Sequence, residues 1–308
     1  MKPCPRSSSF VPNLPLPASP PALFPPTLIR SPRHLADALR ALVESRAERD
    51  RAGLLVCDGL RFVERVARSP NFRPVLFAYA PELLRSQPFG DRLLALLKEH
   101  HSNIPLVRIA PGALAFLSQS PEPQGIVAVA RQAWTPIPRL PPDAGLCYVA
   151  LDTVRSAGNL GTVLRTLEAV GGAGLICLPT EPTTNTPPDE RVDPFAPGAV
   201  RAAMGSTFAL RFARPSAAEW ECWRAKHGVL LVGTSPHTGV DYRTVCYGER
   251  AVLWMGGERT GLSEAQMAQC DRLVRIPMAP GATADSLNLA TATSVLLYEV
   301  FNQRSPIP

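Results

Sequence analysis

Polar side chains that could take part in chemistry occur in three short stretches, and each stretch follows an apolar run. The first stretch holds Asn159 and Arg165, the second holds Glu258, and the third holds Ser286 and Asn288. A guanidinium group binds anions, and the other side chains supply a carboxylate, a hydroxyl and two amides. Together such groups can orient a substrate and stabilise negative charge that develops during a reaction.

The apolar runs before these stretches are typical of buried strands, which end near residues 151, 255 and 278. Ligands of open α/β sheets bind at the carboxyl ends of strands, so the three stretches lie where a ligand is expected. Gly256, Gly257 and Gly261 would let the backbone face that ligand. No GxGxxG or GxxxxGK[ST] nucleotide pattern is present. A Ser/His/Asp hydrolase is not supported, because there is no GxSxG elbow and His237 has no matched partner.

The element that must position the first stretch is a helix with one buried face. Its apolar residues recur at helical spacing, at Leu160, Val163, Leu164, Leu167 and Val170. Asn159 at the helix start is expected to cap free backbone N–H groups, and Gly161 removes a Cβ where the backbone would approach a ligand closely. Arg165 lies on the flank of the apolar stripe. Taken alone, this stretch is equally compatible with a capped helix that carries a surface arginine.

Two α/β domains are expected from the order of the predicted elements. Strands and helices alternate over residues 31–132, and short buried strands over residues 144–305 predict a largely parallel sheet. Residues 133–143 carry four prolines without periodicity and are interpreted as a semi-rigid linker. Residues 1–30 hold nine prolines and no acidic residue, which predicts a disordered tail, with a transit peptide as the alternative.

The individual elements follow from apolar periodicity and from turn residues. Helices are predicted at about 31–50, 58–69, 90–100, near 114, 197–204, 217–227 and 286–304. Strands are predicted at 54–57, 74–79, 104–109, 125–130, 146–151, 174–178, 228–234, 251–255 and 272–278.

Positive charge is concentrated in the first half of the chain. Residues 1–140 hold 18 Lys+Arg against 10 Asp+Glu, whereas residues 141–308 hold 14 against 16. Such an excess fits a polyanionic partner such as RNA, because phosphate neutralisation supplies much of the affinity for nucleic acids. Five arginines are predicted to lie along the RNA backbone, with a solvated helix face as the alternative: Arg40, Arg46, Arg49, Arg51 and Arg61.

Seven cysteines are scattered along the chain without a CxxC pair. This odd, scattered set predicts reduced, buried thiols in a cytoplasmic protein and argues against a disulfide framework. No metal site is expected, since the five histidines are either adjacent at a helix end or isolated. No apolar run approaches the roughly 20 residues of a membrane span, so no association with a membrane is expected.

The three polar stretches, taken together, resemble the motifs of a known family. NLGTVLR (159–165), MGGERTGLS (255–263) and IPM followed by SLN (276–278 and 286–288) resemble, in order and spacing, the three motifs of the SpoU, or TrmH-like, branch of the SPOUT RNA methyltransferases. The run DPFAPGAVRAAMGSTF (193–208) resembles the segment between the first two motifs. Residues 31–132 resemble the substrate-binding domain of the ribosomal RNA members, so the likeness covers about residues 31–304.

The resemblance implies transfer of a methyl group from S-adenosylmethionine to a ribose 2′-hydroxyl of RNA, by a homodimer whose catalytic α/β domain is a deep trefoil knot. Ribosomal RNA is the expected substrate, with transfer RNA as one alternative and a non-catalytic RNA-binding assembly factor as another. By the same resemblance, the cofactor would be held by backbone around Gly256, Ile276 and Leu287, with Thr234 as a weaker candidate. The polar active-site positions would be Asn159, Arg165, Glu258, Ser286 and Asn288.

The role of Arg165 is open between two chemical interpretations. Arginine is the base that the resemblance implies, yet a guanidinium group is effectively always protonated. The second interpretation is that Arg165 binds phosphate and stabilises the developing alkoxide electrostatically. We favour this second role, because it does not require the guanidinium group to lose a proton.

Overall fold

The computed structural model describes residues 31–87, 89–118, 120–180, 191–237 and 239–304. The Pro-rich tail (1–30), for which disorder is predicted, and the Pro-rich loop 181–190 lie outside the described residues. Within the described ranges, no helix is both long enough and apolar enough to cross a membrane.

The first half of the chain folds into a four-stranded mixed sheet flanked by helices. The strands are β1 (Leu54–Asp58), β2 (Pro74–Tyr79), β3 (Leu106–Arg108) and β4 (Ile126–Arg131). The helices are α1 (Pro32–Glu44), α2 (Arg46–Ala52), α3 (Leu60–Arg68), α4 (Pro81–Leu84), α5 (Gly90–His100) and α6 (Pro111–Leu117). The strand order is β1-β4-β2-β3, with β4 antiparallel to both neighbours and β2 parallel to β3. The predicted α/β class is confirmed.

The first helix differs from the prediction of one helix up to residue 50. The backbone of Ser45 is extended (φ −114°, ψ 117°) and separates α1 from α2. The Ser45 hydroxyl accepts a hydrogen bond from the Glu48 amide at 3.2 Å and thereby caps α2. The serine side chain can replace a backbone carbonyl as the acceptor for an amide, and this explains why the predicted single helix is interrupted at Ser45.

The second half of the chain forms a seven-stranded sheet. Its strands are β5 (Tyr148–Leu151), β6 (Gly174–Cys177), β7 (Arg211–Ala213), β8 (Leu230–Thr234), β9 (Val240–Asp241), β10 (Ala251–Trp254) and β11 (Arg272–Arg275). The helices are α7 (Ala157–Ala169), α8 (Pro197–Ala202), α9 (Ala217–His227), α10 (Glu264–Ala268) and α11 (Leu289–Arg304). The strand order is β7-β6-β5-β10-β8-β11-β9, and every neighbouring pair is parallel. The largely parallel sheet predicted here is confirmed.

The buried face predicted for α7 is present, and two element boundaries differ from the prediction. The five apolar residues of that face are all buried in the core: Leu160, Val163, Leu164, Leu167 and Val170. The strand predicted to reach residue 278 ends at Arg275, and the helix predicted from residue 286 begins at Leu289. The later helix start follows from Asn288, whose side-chain oxygen accepts a hydrogen bond from the Ala290 amide at 2.9 Å.

The proline-rich segment 133–143 packs against the second sheet over most of its length. Ile137 and Leu140 are buried, and the Trp223 indole donates a hydrogen bond to the Leu140 carbonyl at 3.0 Å. The Tyr148 hydroxyl donates to the Pro141 carbonyl at 2.7 Å. The segment therefore belongs structurally to the second half of the chain, and the division at residues 132 and 144 stays a prediction.

Two arginines that were predicted to contact RNA instead join the two halves of the chain. Arg49 is 4% exposed, and its guanidinium group lies 2.7 Å from the Asp193 carboxylate. Arg46 donates hydrogen bonds to the carbonyls of Arg191 and Val192 at 2.7 and 3.2 Å. The prediction for Arg46 and Arg49 is wrong, because these donors are used within the protein. Two more arginines of the predicted set pair with carboxylates on their own helices, Arg40 with Glu44 and Arg51 with Glu48.

Replacing Asp193 by asparagine should lower the free energy of unfolding by about 3 kcal/mol, because the buried Arg49 charge loses its compensating carboxylate. Chemical denaturation followed by circular dichroism measures this loss. Glu48→Gln is the matched control, since it removes the partner of Arg51 on the same helix, where the ion pair is exposed. Equal shifts of the denaturation midpoint in the two variants would contradict the assignment of Arg49–Asp193 as the stabilising pair.

The cysteines follow the prediction of buried thiols at three positions. Cys57, Cys147 and Cys177 are buried, and burial raises the pKa of each thiol to about 12. Cys222 on α9 and Cys246 in the loop before β10 are exposed, which contradicts the prediction for them. Cys270 is half-buried, and Cys4 lies outside the described residues. The buried thiols are therefore protonated and unreactive near neutral pH.

Candidate active site

The three polar stretches meet at one edge of the parallel sheet. Strands β5, β10, β8 and β11 are neighbours in that order, and all of them run in the same direction. The first stretch follows β5, the second follows β10, and the third follows β11. Because the carboxyl ends of parallel strands lie at the same edge, residues far apart in the sequence come together there.

A continuous set of hydrogen bonds joins one side chain from each stretch. The amide nitrogen of Asn159 donates to the Glu258 carboxylate, with Nδ2 and Oε1 2.6 Å apart. The amide oxygen of Asn159 accepts from Nδ2 of Asn288 at 3.1 Å. The backbone amide of Ser156 also donates to the Glu258 carboxylate, at 3.3 Å. The structure thus places three of the five predicted polar residues in one contiguous group.

Local helix capping fixes the orientation of these side chains. The hydroxyl of Ser156 accepts a hydrogen bond from the Asn159 amide at 3.2 Å, so Ser156 caps α7. The prediction that the Asn159 side chain caps this helix is wrong, because Asn159 is already inside the first turn and its side chain points to Glu258 and Asn288. The Asn288 oxygen caps α11 through the Ala290 amide, which leaves its NH₂ group to donate to Asn159. Asn288 therefore donates to Asn159, and Asn159 in turn donates to the Glu258 carboxylate.

Arg165 and Ser286 are the two predicted polar residues that make no hydrogen bond to this group. Arg165 is exposed on α7, about 9 Å further along the helix axis than Asn159 at the usual rise per residue. In the described ranges, no carboxylate oxygen lies within 4.0 Å of its guanidinium group. Ser286 is exposed two residues before Asn288. Arg165 is thus a positive charge that is open to solvent on the helix that carries Asn159.

Three of the four residues predicted to hold a cofactor, Thr234, Gly256 and Ile276, lie at or just after the ends of β8, β10 and β11, and Leu287 precedes Asn288 of the polar group. The Thr234 hydroxyl donates to the Trp254 carbonyl at 3.4 Å and links the ends of β8 and β10. Gly256 is buried, whereas Ile276 and Leu287 are half-buried. Backbone polar groups and two apolar side chains therefore occur together at this edge, and they suit a ligand with both polar and apolar parts.

The glycines of the second stretch serve the loop itself. A Cβ on Gly256 would lie 2.3 Å from the Gly261 carbonyl carbon, so only glycine fits there. Gly257 and Gly261 exchange backbone hydrogen bonds of 3.2 and 3.0 Å, and Gly261 has a φ of 65°. Glycine is also required at position 161 for packing, since a Cβ there would lie 2.3 Å from the Ala202 Cβ. The close approach predicted at Gly161 is to α8 and not to a ligand.

Two positioning residues were missed in the sequence, Asp152 and Gln266. The Asp152 carboxylate accepts a hydrogen bond from the Gln266 side chain at 2.8 Å and so ties the end of β5 to the short helix α10. Gln266 is 5% exposed and also forms a capping box with Ser263. The spacing of Ser263 and Gln266 is the capping-box signature, which could have located α10. Asp152 had no such signal, because its partner is 114 residues away.

Comparison with known proteins places these features in a family. A profile of the SpoU rRNA Methylase family matches residues 147–298. The chain is 31% identical over 273 residues to the 23S rRNA (uridine(2479)-2'-O)-methyltransferase of Streptomyces viridochromogenes, covering 86% of this chain and 88% of that protein. It is similar to the AdoMet-bound rRNA methyltransferase from Sinorhizobium meliloti, with 31% identity, a TM-score of 0.74, and coverage of 89% of this chain and 95% of the other. It is also similar to the SpoU methyltransferase AviRb from Streptomyces viridochromogenes in complex with AdoMet, with 28% identity, a TM-score of 0.75, and coverage of 89% and 99%.

Proposed function

Because the chain belongs to the SpoU rRNA methylase family, we propose that it transfers a methyl group from S-adenosylmethionine to a ribose 2′-hydroxyl of ribosomal RNA. The observation that carries this proposal is the hydrogen-bonded group of Asn159, Glu258 and Asn288 at the carboxyl edge of the sheet. The arrangement belongs to a chain whose whole fold matches an AdoMet-bound rRNA methyltransferase. The polar group, the fold and the family therefore support the same reaction.

The chain offers groups that suit S-adenosylmethionine at the ends of β8, β10 and β11. We propose that backbone around Gly256, Ile276 and Leu287 holds the cofactor, with Thr234 at the edge of the site. Half-buried apolar side chains at positions 276 and 287 suit an adenine ring, and exposed loop backbone suits its polar atoms. When bound, the cofactor supplies a sulfonium methyl group that is already activated for transfer.

The polar side chains then have to align the ribose hydroxyl and stabilise its developing negative charge. We propose that Arg165 supplies the positive charge, since its guanidinium group is exposed and has no carboxylate near it in the described ranges. Asn159 holds the Glu258 carboxylate through one hydrogen bond, and Asn288 fixes the amide of Asn159. Ser286 is exposed next to this group and is proposed as a contact for the substrate.

Incubation of the purified protein with radiolabelled S-adenosylmethionine and unmodified RNA tests the proposed function. We expect label in ribosomal RNA, in a nucleotide that resists alkaline hydrolysis because its 2′-hydroxyl is methylated. Transfer RNA in a parallel reaction should stay unlabelled. Label in transfer RNA alone would overturn the substrate class, and absence of S-adenosylmethionine binding by calorimetry would overturn the enzymatic function.

We also propose that the enzyme works as a homodimer that uses α11. This helix exposes Tyr298 (55% exposed), whose ring lies 6.2 Å from that of Phe301. Phe301 is half-buried against the core, so Tyr298 is the aromatic side chain that this helix presents to solvent. Aromatic side chains are enriched at protein interfaces, and an exposed one on a helix is suited to such a contact. The predicted cytoplasmic location is consistent with a substrate in the ribosome and stays a prediction.

Tyr298→Glu should shift the protein from dimer toward monomer, because a charge cannot be buried unpaired in an apolar interface. Light scattering after size-exclusion chromatography measures the molar mass over a range of concentrations. Asn302→Glu is the matched control, since it adds the same charge at an exposed position of the same helix. A monomeric wild-type protein at micromolar concentration would contradict the proposal.

A further inference from the structure

Met204 has an unusual backbone conformation for an exposed apolar residue. Its φ is 54°, and it is the one residue other than glycine with a positive φ in the described part of the chain. Left-handed backbone crowds a Cβ against the following carbonyl oxygen, so this conformation is strained. The side chain is 38% exposed and is not part of the buried core. Burial of the Met204 side chain therefore does not account for the strained conformation.

The turn that carries Met204 lies along α7. On one side of Met204, Ala202 meets Gly161 so closely that a Cβ on the glycine would lie 2.3 Å from the alanine Cβ. On the other side, the Ser206 hydroxyl donates to the Glu168 carboxylate. Arg165 is four residues after position 161 and three before position 168, so all three lie on the same face of the helix. Contacts on both sides therefore place the turn that carries Met204 along the face of α7 that includes Arg165.

A second arginine reaches this turn from the other half of the chain. Arg65 of α3 lies over Gly205, with its Cγ 3.2 Å and its Nε 3.6 Å from the position that a Cβ on Gly205 would occupy. A third, Arg201, is in the last turn of α8. Among the described residues, no carboxylate oxygen lies within 4.0 Å of these guanidinium groups or that of Arg165. Within the described ranges, Arg65, Arg165 and Arg201 are thus positive charges without a carboxylate partner, on the three helices next to the turn that carries Met204.

We infer that Met204 and Arg65 form a contact site for the RNA strand beside the reacting ribose. This inference rests on the proposed function. Specific recognition of RNA takes place mainly on unstacked bases, and methionine is among the apolar side chains that insert between bases. The guanidinium group of Arg65 suits a backbone phosphate, which would lie across the junction of the two halves of the chain. Met204 contacts a base, Arg65 holds the strand, and Arg165 faces the ribose.

Met204→Gly separates this role from a purely structural one. Glycine relieves the strained conformation, so the thermal midpoint should stay the same or rise. We expect S-adenosylmethionine affinity and kcat to stay near wild type, whereas the KM for an unmodified 23S ribosomal RNA transcript should rise about 10-fold. Met204→Leu keeps an apolar side chain and should retain most of the affinity. A wild-type KM in the glycine variant would overturn the inference.

Arg65→Ala tests the phosphate contact. The logarithm of RNA affinity should fall less steeply with the logarithm of salt concentration, with a slope reduced by about 1. Arg68→Ala is the matched control on the same helix, because Arg68 is paired with Glu64 at 3.2 Å. Filter binding of the same transcript measures RNA affinity without turnover, so it tests this site independently of the reaction. If Arg65→Ala binds RNA more weakly but the wild-type protein transfers no methyl group, the contact site is supported and the proposed reaction is overturned. An unchanged slope in Arg65→Ala would overturn the phosphate contact.

Discussion

Arg165→Ala is expected to lower turnover at least about 100-fold while the affinity for S-adenosylmethionine barely changes. A group that stabilises developing charge contributes on this scale, since it acts on the transition state. The guanidinium group lies on α7, exposed and without a carboxylate partner in the described ranges, so its charge is available to a substrate. The residues proposed to hold the cofactor follow other strands of the sheet. Single-turnover kinetics measures the first effect and calorimetry the second.

Arg165→Lys distinguishes an electrostatic role from a role as a base. A lysine keeps the positive charge, and its ordinary pKa is about two units lower than that of arginine. If position 165 acts as the base, turnover in the lysine variant should rise with pH relative to wild type, because the amine loses its proton more readily. If position 165 stabilises charge, the ratio of lysine-variant to wild-type turnover should fall as pH approaches the pKa of the lysine. Near-normal turnover in Arg165→Ala would contradict both roles.

Elements whose apolar pattern is local could be predicted from the sequence. The strand Pro74–Tyr79 and the helices Gly90–His100 and Ala217–His227 have the predicted bounds. Each is fixed by residues a few positions apart, through period-2 alternation or helical spacing. The positions of the three polar stretches after strands were predictable for the same reason, since a strand end is a local feature.

Contacts between distant residues could not be predicted in this way. The pairing of Arg49 with Asp193 joins residues 144 positions apart, and it converts a predicted RNA contact into a buried ion pair. The position of β10 between β5 and β8 is likewise set by packing of the whole sheet. The orientation of Asn159 depends on Glu258 and Asn288, which are 99 and 129 residues away. The knot that the resemblance implies stays a prediction.

The arginines also show that charge composition can indicate the class of partner, but not which residues contact it. The excess of basic residues in the first half predicted RNA, but sequence alone could not tell paired arginines from unpaired ones. Arg46 and Arg49 bind the protein itself. Arg65, which was not singled out, lies over Gly205 and has no carboxylate partner among the described residues. Neutralisation by carboxylates decides which charges remain available to phosphate.

Asn159→Asp should make turnover depend steeply on pH. In this variant a carboxylate would lie where an amide nitrogen is now 2.6 Å from the Glu258 carboxylate. Two charged carboxylates at this distance repel each other, whereas a pair that shares one proton forms a hydrogen bond. The pKa of one of the two carboxyl groups therefore rises. Below that raised pKa, the shared proton replaces the native hydrogen bond and activity should be largely kept. Above it, both groups are charged and repel each other.

Repulsion between the carboxylates at positions 159 and 258 should displace these side chains and lower turnover roughly 100-fold at alkaline pH. A displacement of about 1 Å in an active site has an effect of this size. The ratio of variant to wild-type turnover across pH 5 to 10 measures the effect. Combining Asn159→Asp with Glu258→Gln exchanges the amide and the carboxylate, which restores one donor and one acceptor and should remove the added pH dependence. Parallel pH profiles for Asn159→Asp and wild type would show that the contact between positions 159 and 258 does not support catalysis.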